Sequence, residues 1–477
     1  MRHIALLVLL TGCGADCPPE ATLGDDGLCY LADAEGDDGD SVDEGDTGPS
    51  AAMNITAEVS EQVHTVVTVR WETEAAATGY VEFGPDDSYG ERTPLGVEGT
   101  SHEVLVLGLW ADTEFHFRVV STGADGQEAT SADQVVTTGS LPVEIPVMTI
   151  TGEPTWEGFL FAPFQGINYL AVVVDNQGRV VLYRVVDSDT HHIMRAEPMP
   201  DGSGVAICMA GQDSQGNKDE GYVLIVSMDG AEEVEVEVPY IDHDMTIMPD
   251  GTIAAIVLKE QEGYAGQADS IQEVALDGGM TEIFDAWDHV DWLPDREPAR
   301  EGSGGGNNWT HANALDYVER DDAYYMAMKE LHTMVKVDRA SGEVQWAIGG
   351  QGDQFTWPDD QEPLSMHHQF HAYAPGRLLV FENGDPSRGY SQVRELVLDE
   401  ENLTAEEVWS YRHDPPVYVF AKGDVERLDS GNTLVTWSSS GEIQEVRPDG
   451  SVQWQFNTEL GAAITFVTRT ESLYGQQ

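Results

Sequence analysis

A chain of 477 residues with 86 Asp plus Glu against 23 Lys plus Arg carries a formal net charge of −63. Such a surface repels nucleic acid and anionic lipid, which excludes both as docking partners. The length allows two or three domains and at least one large core.

The N-terminus reads Met1-Arg2-His3, the apolar run Ile4 to Leu10, then Thr11-Gly12-Cys13. A basic start, a short apolar run and small residues before a cleavage point define an export signal over residues 1–12. The run is too short to span a bilayer. Leu10-Thr11-Gly12-Cys13 resembles a bacterial lipobox, which implies lipidation of Cys13 and a protein exported and anchored by that lipid in the cell envelope, on the outer membrane or a periplasmic face. Cys17 and Cys29 then sit in an oxidising compartment where they can pair. Cys208, within Val205-Ala206-Ile207-Cys208-Met209, reads as a buried strand thiol.

Residues 13–52 read as an acidic disordered linker. Residues 14–50 hold twelve acids and no Lys or Arg, a self-repelling composition. Gly36-Asp37-Asp38-Gly39-Asp40 lacks the closing Glu of a calcium loop.

Residues 53–140 read as a small β-sandwich. Thr65–Trp71, Gly79–Phe83, Glu103–Leu107 and Thr113–Val120 alternate apolar and polar residues between Gly, Asp and Pro turns. The early-strand Trp71 and the segment Leu109-Trp110-Ala111-Asp112-Thr113-Glu114-Phe115-His116-Phe117 resemble a fibronectin type III module, with Phe115 where that family often has Tyr. Nothing catalytic converges here, and the domain reads as a spacer or docking module.

From 141 to 477 short apolar runs recur between hairpin signals: Asp175-Asn176-Gln177-Gly178, Pro200-Asp201-Gly202, Met228-Asp229-Gly230, Pro249-Asp250-Gly251, Asp429-Ser430-Gly431 and Pro448-Asp449-Gly450. Almost nothing has a helical period. Repeated small antiparallel sheets over this length predict an all-β fold, a β-propeller of about six blades. The last run, Ile464–Thr468, is placed to complete the first blade and close the ring.

Three histidines occupy comparable points of successive strand groups. His243 lies in Tyr240-Ile241-Asp242-His243-Asp244-Met245. His311 lies in Asn307-Asn308-Trp309-Thr310-His311-Ala312-Asn313. His368 lies in Met366-His367-His368-Gln369-Phe370-His371, ahead of a Pro-Gly turn and a strand ending at Phe381-Glu382-Asn383-Gly384. In a propeller, equivalent points of different blades converge on the axis, and imidazole suits proton transfer, nucleophilic attack or metal ligation.

These segments resemble the bacterial arylsulfate sulfotransferase family. Trp309-Thr310-His311-Ala312-Asn313-Ala314 is similar to its Trp-x-His-x-Asn-Ser motif, and Val335 to Gly350 to its lysine-bearing strand, turn and Trp-x-x-Gly-Gly segment. His367-His368 and Phe381-Glu382-Asn383-Gly384 are similar to its Gln-His and Phe-Asp-Asn-Gly pair. The fifteen residues from His368 to Asn383 fit that pair better than the twelve from His371. The resemblance spans roughly 150–470. It implies a six-bladed propeller that passes a sulfuryl group from an aryl sulfate donor to a phenolic acceptor, without nucleotide donor, cofactor or metal. It implies His368 as the nucleophile, with His243 and His311 holding sulfuryl oxygens and protonating the leaving phenolate. Lys329 stands where the family has Arg and would supply the positive charge without the planar fork. Asn313, His371, Asn383 and Arg388 are the expected substrate-binding residues. Arg388 is a candidate to compensate for Tyr390-Ser391-Gln392, where the family often has Ser-Arg. Ala314 replaces the usual Ser.

Three other readings stay open on the residues alone. Asp338–Trp346 is close to the tryptophan-docking repeat of quinone-dependent propellers, echoed only by Asp449–Trp454. Three convergent imidazoles suit zinc or copper. A surface lipoprotein whose propeller only binds a ligand or partner needs no catalysis.

Overall fold

The computed structural model describes residues 21–23, 29–31, 50–166, 169–186, 190–211, 218–264, 266–292, 308–458 and 463–475. Cys13 and Cys17 lie outside them. Within the stretch read as a disordered linker, Ala21–Leu23 and Cys29–Leu31 pair as an antiparallel ribbon.

The described residues between 148 and 475 form a six-bladed β-propeller, and the described residues contain no α-helix. Blade 2 is His191–Pro198, Gly204–Gly211, Tyr222–Ser227 and Glu233–Glu237. Blade 3 runs Ile241–Ile247 to Met280–Asp285, blade 4 Ala312–Val318 to Val344–Ile348, and blade 5 His367–Ala374 to Thr404–Tyr411. In each the first strand is innermost and lies against its neighbours around the axial channel.

Two distant segments close the ring. Ala463–Ile464 and Thr468–Thr470 pair with Phe159–Gln165 as the innermost strand of blade 1. Met148–Gly152 adds to Val452–Thr458 as a fifth, outermost strand of blade 6, whose innermost strand is Asp424–Arg427.

Burial follows place in the blade. The second strand of blade 4, Ala323–Met328, is buried at every residue because a blade packs on each face. The outermost Thr404–Tyr411 alternates, facing water on one side. Each of the six interfaces between blades has its own apolar cluster, the one between blades 3 and 4 built on Tyr324, Met326, Ile256 and Ile271. At the hairpins, the Asp carboxylate accepts from the amide two residues on. Asp201, Asp250 and Asp449 all do so, at 2.9 Å, which fixes the turn that a following glycine completes.

The smaller domain is organised on the strand Val67–Gly84. Its first half pairs with Met53–Val59 and Gly99–Val106, its second with Glu114–Gly123. Trp71, Val81, Phe115 and Phe117 fill one core between them.

This domain packs against the propeller. Val63, Val66 and Leu107 join the apolar cluster of blades 1 and 6. Thr65 Oγ1 donates to Val181 O at 2.7 Å, and Tyr183 Oη accepts from His64 N at 2.9 Å. The Arg179 guanidinium lies 3.6 Å from the Trp110 ring centroid. The sequence alone hid this because the contact residues, Val63, Val66 and Leu107 among them, are ordinary apolar residues just outside the strands.

Candidate active site

The site is made by bulges. In blade 3, Asp242, His243 and Asp244 fall where the ladder slips between Ile241 and Met245. In blade 4 the unpaired residue is Asn313, in blade 5 His368 and Gln369, in blade 2 Met194 and Arg195. A bulge frees residues from the ladder and turns them aside, so the innermost strands aim their polar residues into the channel. His243 and His311 also hold left-handed backbone, with φ of 51° and 48°, a conformation costly for a side chain with a Cβ.

One mouth of the channel gathers the histidines. The His243 and His311 ring centroids are 4.7 Å apart. His368 is buried beside them. Burial first, then the charges of His243, Lys329 and His311, hold its pKa well below the usual imidazole range. For His243, burial pulls downward, but the Asp242 carboxylate, 2.7 Å from Nδ1, and Asp269 behind it outweigh burial and hold its pKa above the usual range. Two neighbouring imidazoles are thus driven apart, one toward the neutral and one toward the protonated form.

Asn383 fixes the tautomer of His368. Its Nδ2 donates to Val419 O and Lys422 O, both at 2.8 Å. The amide can then present only Oδ1 to the imidazole, which is the contact made with His368 Nδ1. Nδ1 carries the proton, and Nε2 keeps its lone pair.

The segment 308–312 hangs on a residue the sequence reading missed, Asp269. Its carboxylate accepts from Asn308 Nδ2 at 3.0 Å, Thr310 Oγ1 at 2.5 Å and Ala312 N at 2.6 Å. Burial and then Asp242 push its pKa up to about 6. Below the histidines, Arg195, Asp244 and Gln369 form a polar plug. Arg195 reaches Glu197 at 2.5 Å and Asp244 at 3.2 Å, and Gln369 Nε2 donates to Asp244 at 2.6 Å.

The other candidates divide. Lys329 acts on His368, with Glu330 3.6 Å from its Nζ. Asn313 is buried, donates to His367 O at 3.2 Å and leaves Oδ1 without a partner among the described residues. His371 lies elsewhere, lining a separate cavity of about 830 Å³ with Arg427 and Arg469, and its Nδ1 accepts from Arg427 N at 2.9 Å. Arg388 is tied to its own loop: it donates to Glu382 Oε2 at 2.7 Å, Glu382 O at 3.0 Å and Tyr390 O at 2.9 Å. Those contacts leave it no free fork for the site. Among the described residues no group of three or more His, Cys, Asp or Glu side chains has the arrangement of a metal site.

A second missed residue is Lys422, at the start of blade 6. A signal existed in spacing to the first hairpin glycine: eight residues from His243 to Gly251 and from His368 to Gly376, nine from Lys422 to Gly431.

Fold and site together define a six-bladed propeller with an imidazole-lined axial mouth. The family model Arylsulfotransferase (ASST) matches residues 163–467, and the chain belongs to that family. No curated protein matches it. Solved structures similar in part include a Bacteroides caccae protein of unknown function (12% identity, TM-score 0.43, covering 65% of this chain and 98% of that one). Another is the Pseudomonas aeruginosa periplasmic gluconolactonase PpgL (13%, 0.39, 83% and 99%). A third is the Staphylococcus aureus virginiamycin B lyase (12%, 0.34, 72% and 92%).

Proposed function

We propose that the protein transfers a sulfuryl group from an aryl sulfate to a phenol through a sulfohistidine on His368, with no nucleotide donor. The observation that carries this reading is the Asn383 clamp, which supports a neutral imidazole with Nε2 free to attack.

The chemistry balances on the residues present. Nε2 attacks sulfur, the bond from sulfur to the aryl oxygen breaks, and its electron pair leaves with the phenolate. His243, protonated against Asp242, gives the phenolate a proton. The sulfonated ring keeps its Nδ1 proton on Asn383. In the second step the acceptor oxygen attacks sulfur, its proton passes to the neutral His243, and the S–Nε2 bond breaks. His311 and Lys329 hold the sulfuryl oxygens as charge builds.

The test is intact mass spectrometry after mixing with a chromogenic aryl sulfate. The wild type should gain one sulfuryl group and release the phenol, and His368→Ala should do neither. An adduct that persists in His368→Ala, or maps to His371, overturns the assignment. We also propose export with lipid attachment at Cys13, on the strength of the N-terminal sequence. Cys13→Ser should release the protein from membranes, and retention through detergent-free washes would sink that idea.

A further inference from the structure

The side chain of Lys422 is half-buried, but its amine is shut away from solvent and has no ion-pair partner among the described residues, in a chain of net charge −63. Its amine has no hydrogen-bond partner among the described residues. The other deeply placed cations are paired: Arg195 with Glu197 and Asp244, Arg394 with Glu382 and Glu407, Lys336 with Glu400. An ammonium carries three donors and no acceptor, so an unpaired one in the interior lacks something to hold.

Its place is specific. Lys422 stands at the start of the innermost strand of blade 6, as His192, His243, His311 and His368 stand at the starts of blades 2 to 5, and Phe466 takes that place in blade 1. Its backbone is left-handed, φ 62°, like that of His243 and His311. Its carbonyl accepts from Asn383 Nδ2 at 2.8 Å, so the amide that orients His368 also fixes the root of this side chain. From there the chain leans over the channel. Nζ lies 5.9 Å from the Phe466 ring centroid of blade 1, and its charge bears on His192 and Cys208 of blade 2 and on His243 of blade 3. Blade 3 faces blade 6 across a six-bladed ring, so the amine lies toward the axis.

We propose that Lys422 is a second anion-binding residue of this site, gripping the sulfate head of the donor, so that it and Lys329 flank His368 from the two neighbouring blades. The inference rests on the sulfuryl-transfer reading for its substrate, while the anion site itself needs no turnover. A sulfate ester presents one negative charge over three terminal oxygens. A single ammonium is a point charge that holds one direction, and two from different blades hold two oxygens and leave sulfur open to Nε2 of His368. Burial draws the Lys422 pKa down to about 7, Cys208 and Asp244 offsetting it only in part. An arriving anion restores the charged form.

The test compares the full chain with Lys422→Met, Lys422→Gln and Lys422→Arg. Calorimetric titration with inorganic sulfate and with benzenesulfonate, neither of which transfers, is run beside kcat and KM for an aryl sulfate. Lys422→Met fills the same volume without the charge and should melt no lower than wild type. It should bind sulfate about 10–100-fold more weakly and raise KM for the donor, with Lys422→Gln alike and Lys422→Arg close to wild type. Wild-type affinity and KM in both uncharged variants would overturn the proposal while leaving the reaction standing. So would a wild type that binds neither anion. Loss of sulfate binding in the variants, with no aryl sulfate turned over by any form, would keep the anion site and remove the sulfuryl-transfer reading.

Discussion

At the scale of residues, the clamp on His368 makes a sharp demand. Asn383→Ala removes the acceptor that holds Nδ1–H, and the ring is then free to turn or exchange tautomers. It should cost about 10²-fold in kcat, the effect of misplacing a reacting group, with KM for the donor little changed. Asn383→Asp should act differently. In the wild type a depressed pKa keeps His368 neutral below the usual imidazole range, so the acid limb of the kcat/KM profile lies below about 6.5. A carboxylate at 383 favours imidazolium, and the limb should move to higher pH. Steady-state rates from pH 4 to 8 read both. His243, His311 and His368 were legible because imidazole is scarce and each lies just ahead of a hairpin strand. Asp269 and Lys422 were not, since an Asp early in a strand or a Lys just before one reads as surface in so charged a chain. His371 illustrates the limit of spacing. Three strand residues carry it about 10 Å further down the channel, beyond a bulge that breaks the alternation, and into another cavity.

At the scale of elements, the small domain is joined to the ring through Val63, Val66 and Leu107. Val66 is fully buried, and an uncompensated charge there should cost about 3–5 kcal/mol. We expect Val66→Asp to split one calorimetric transition into two, the propeller melting below its wild-type temperature. A single unshifted transition would show that the domains are energetically independent. The blades themselves were legible from Asp-Gly punctuation, and so was closure by Ile464–Thr468. The outermost strand Met148–Gly152 was not. Its five residues alternate plainly, but its partner Val452–Thr458 lies three hundred residues on, and nothing local names it.

At the scale of the molecule, the mouth with its lysines opens through an acidic shell. An anionic donor approaching a net charge of −63 meets repulsion at long range and attraction only near the lysines. Raising NaCl from 0.05 to 1 M shortens the Debye length from above about 10 Å to about 3 Å. Over that range kcat/KM for an aryl sulfate should rise, and so should the melting temperature, as self-repulsion is screened. A fall in kcat/KM would mean that the local cations, not the shell, govern encounter. The shared closure has a further consequence for how the protein comes into being. A ribosome that has finished His243, His311, His368 and Lys422 has not yet made Ala463–Thr470, which supplies the inner strand of blade 1, the Phe466 ring under the Lys422 amine and the Val467 amide that caps Asp424 at 2.8 Å. The nascent chain therefore carries all its chemistry on an open arc. Competence arrives in one event, when the C-terminal strand slots against a segment made three hundred residues earlier.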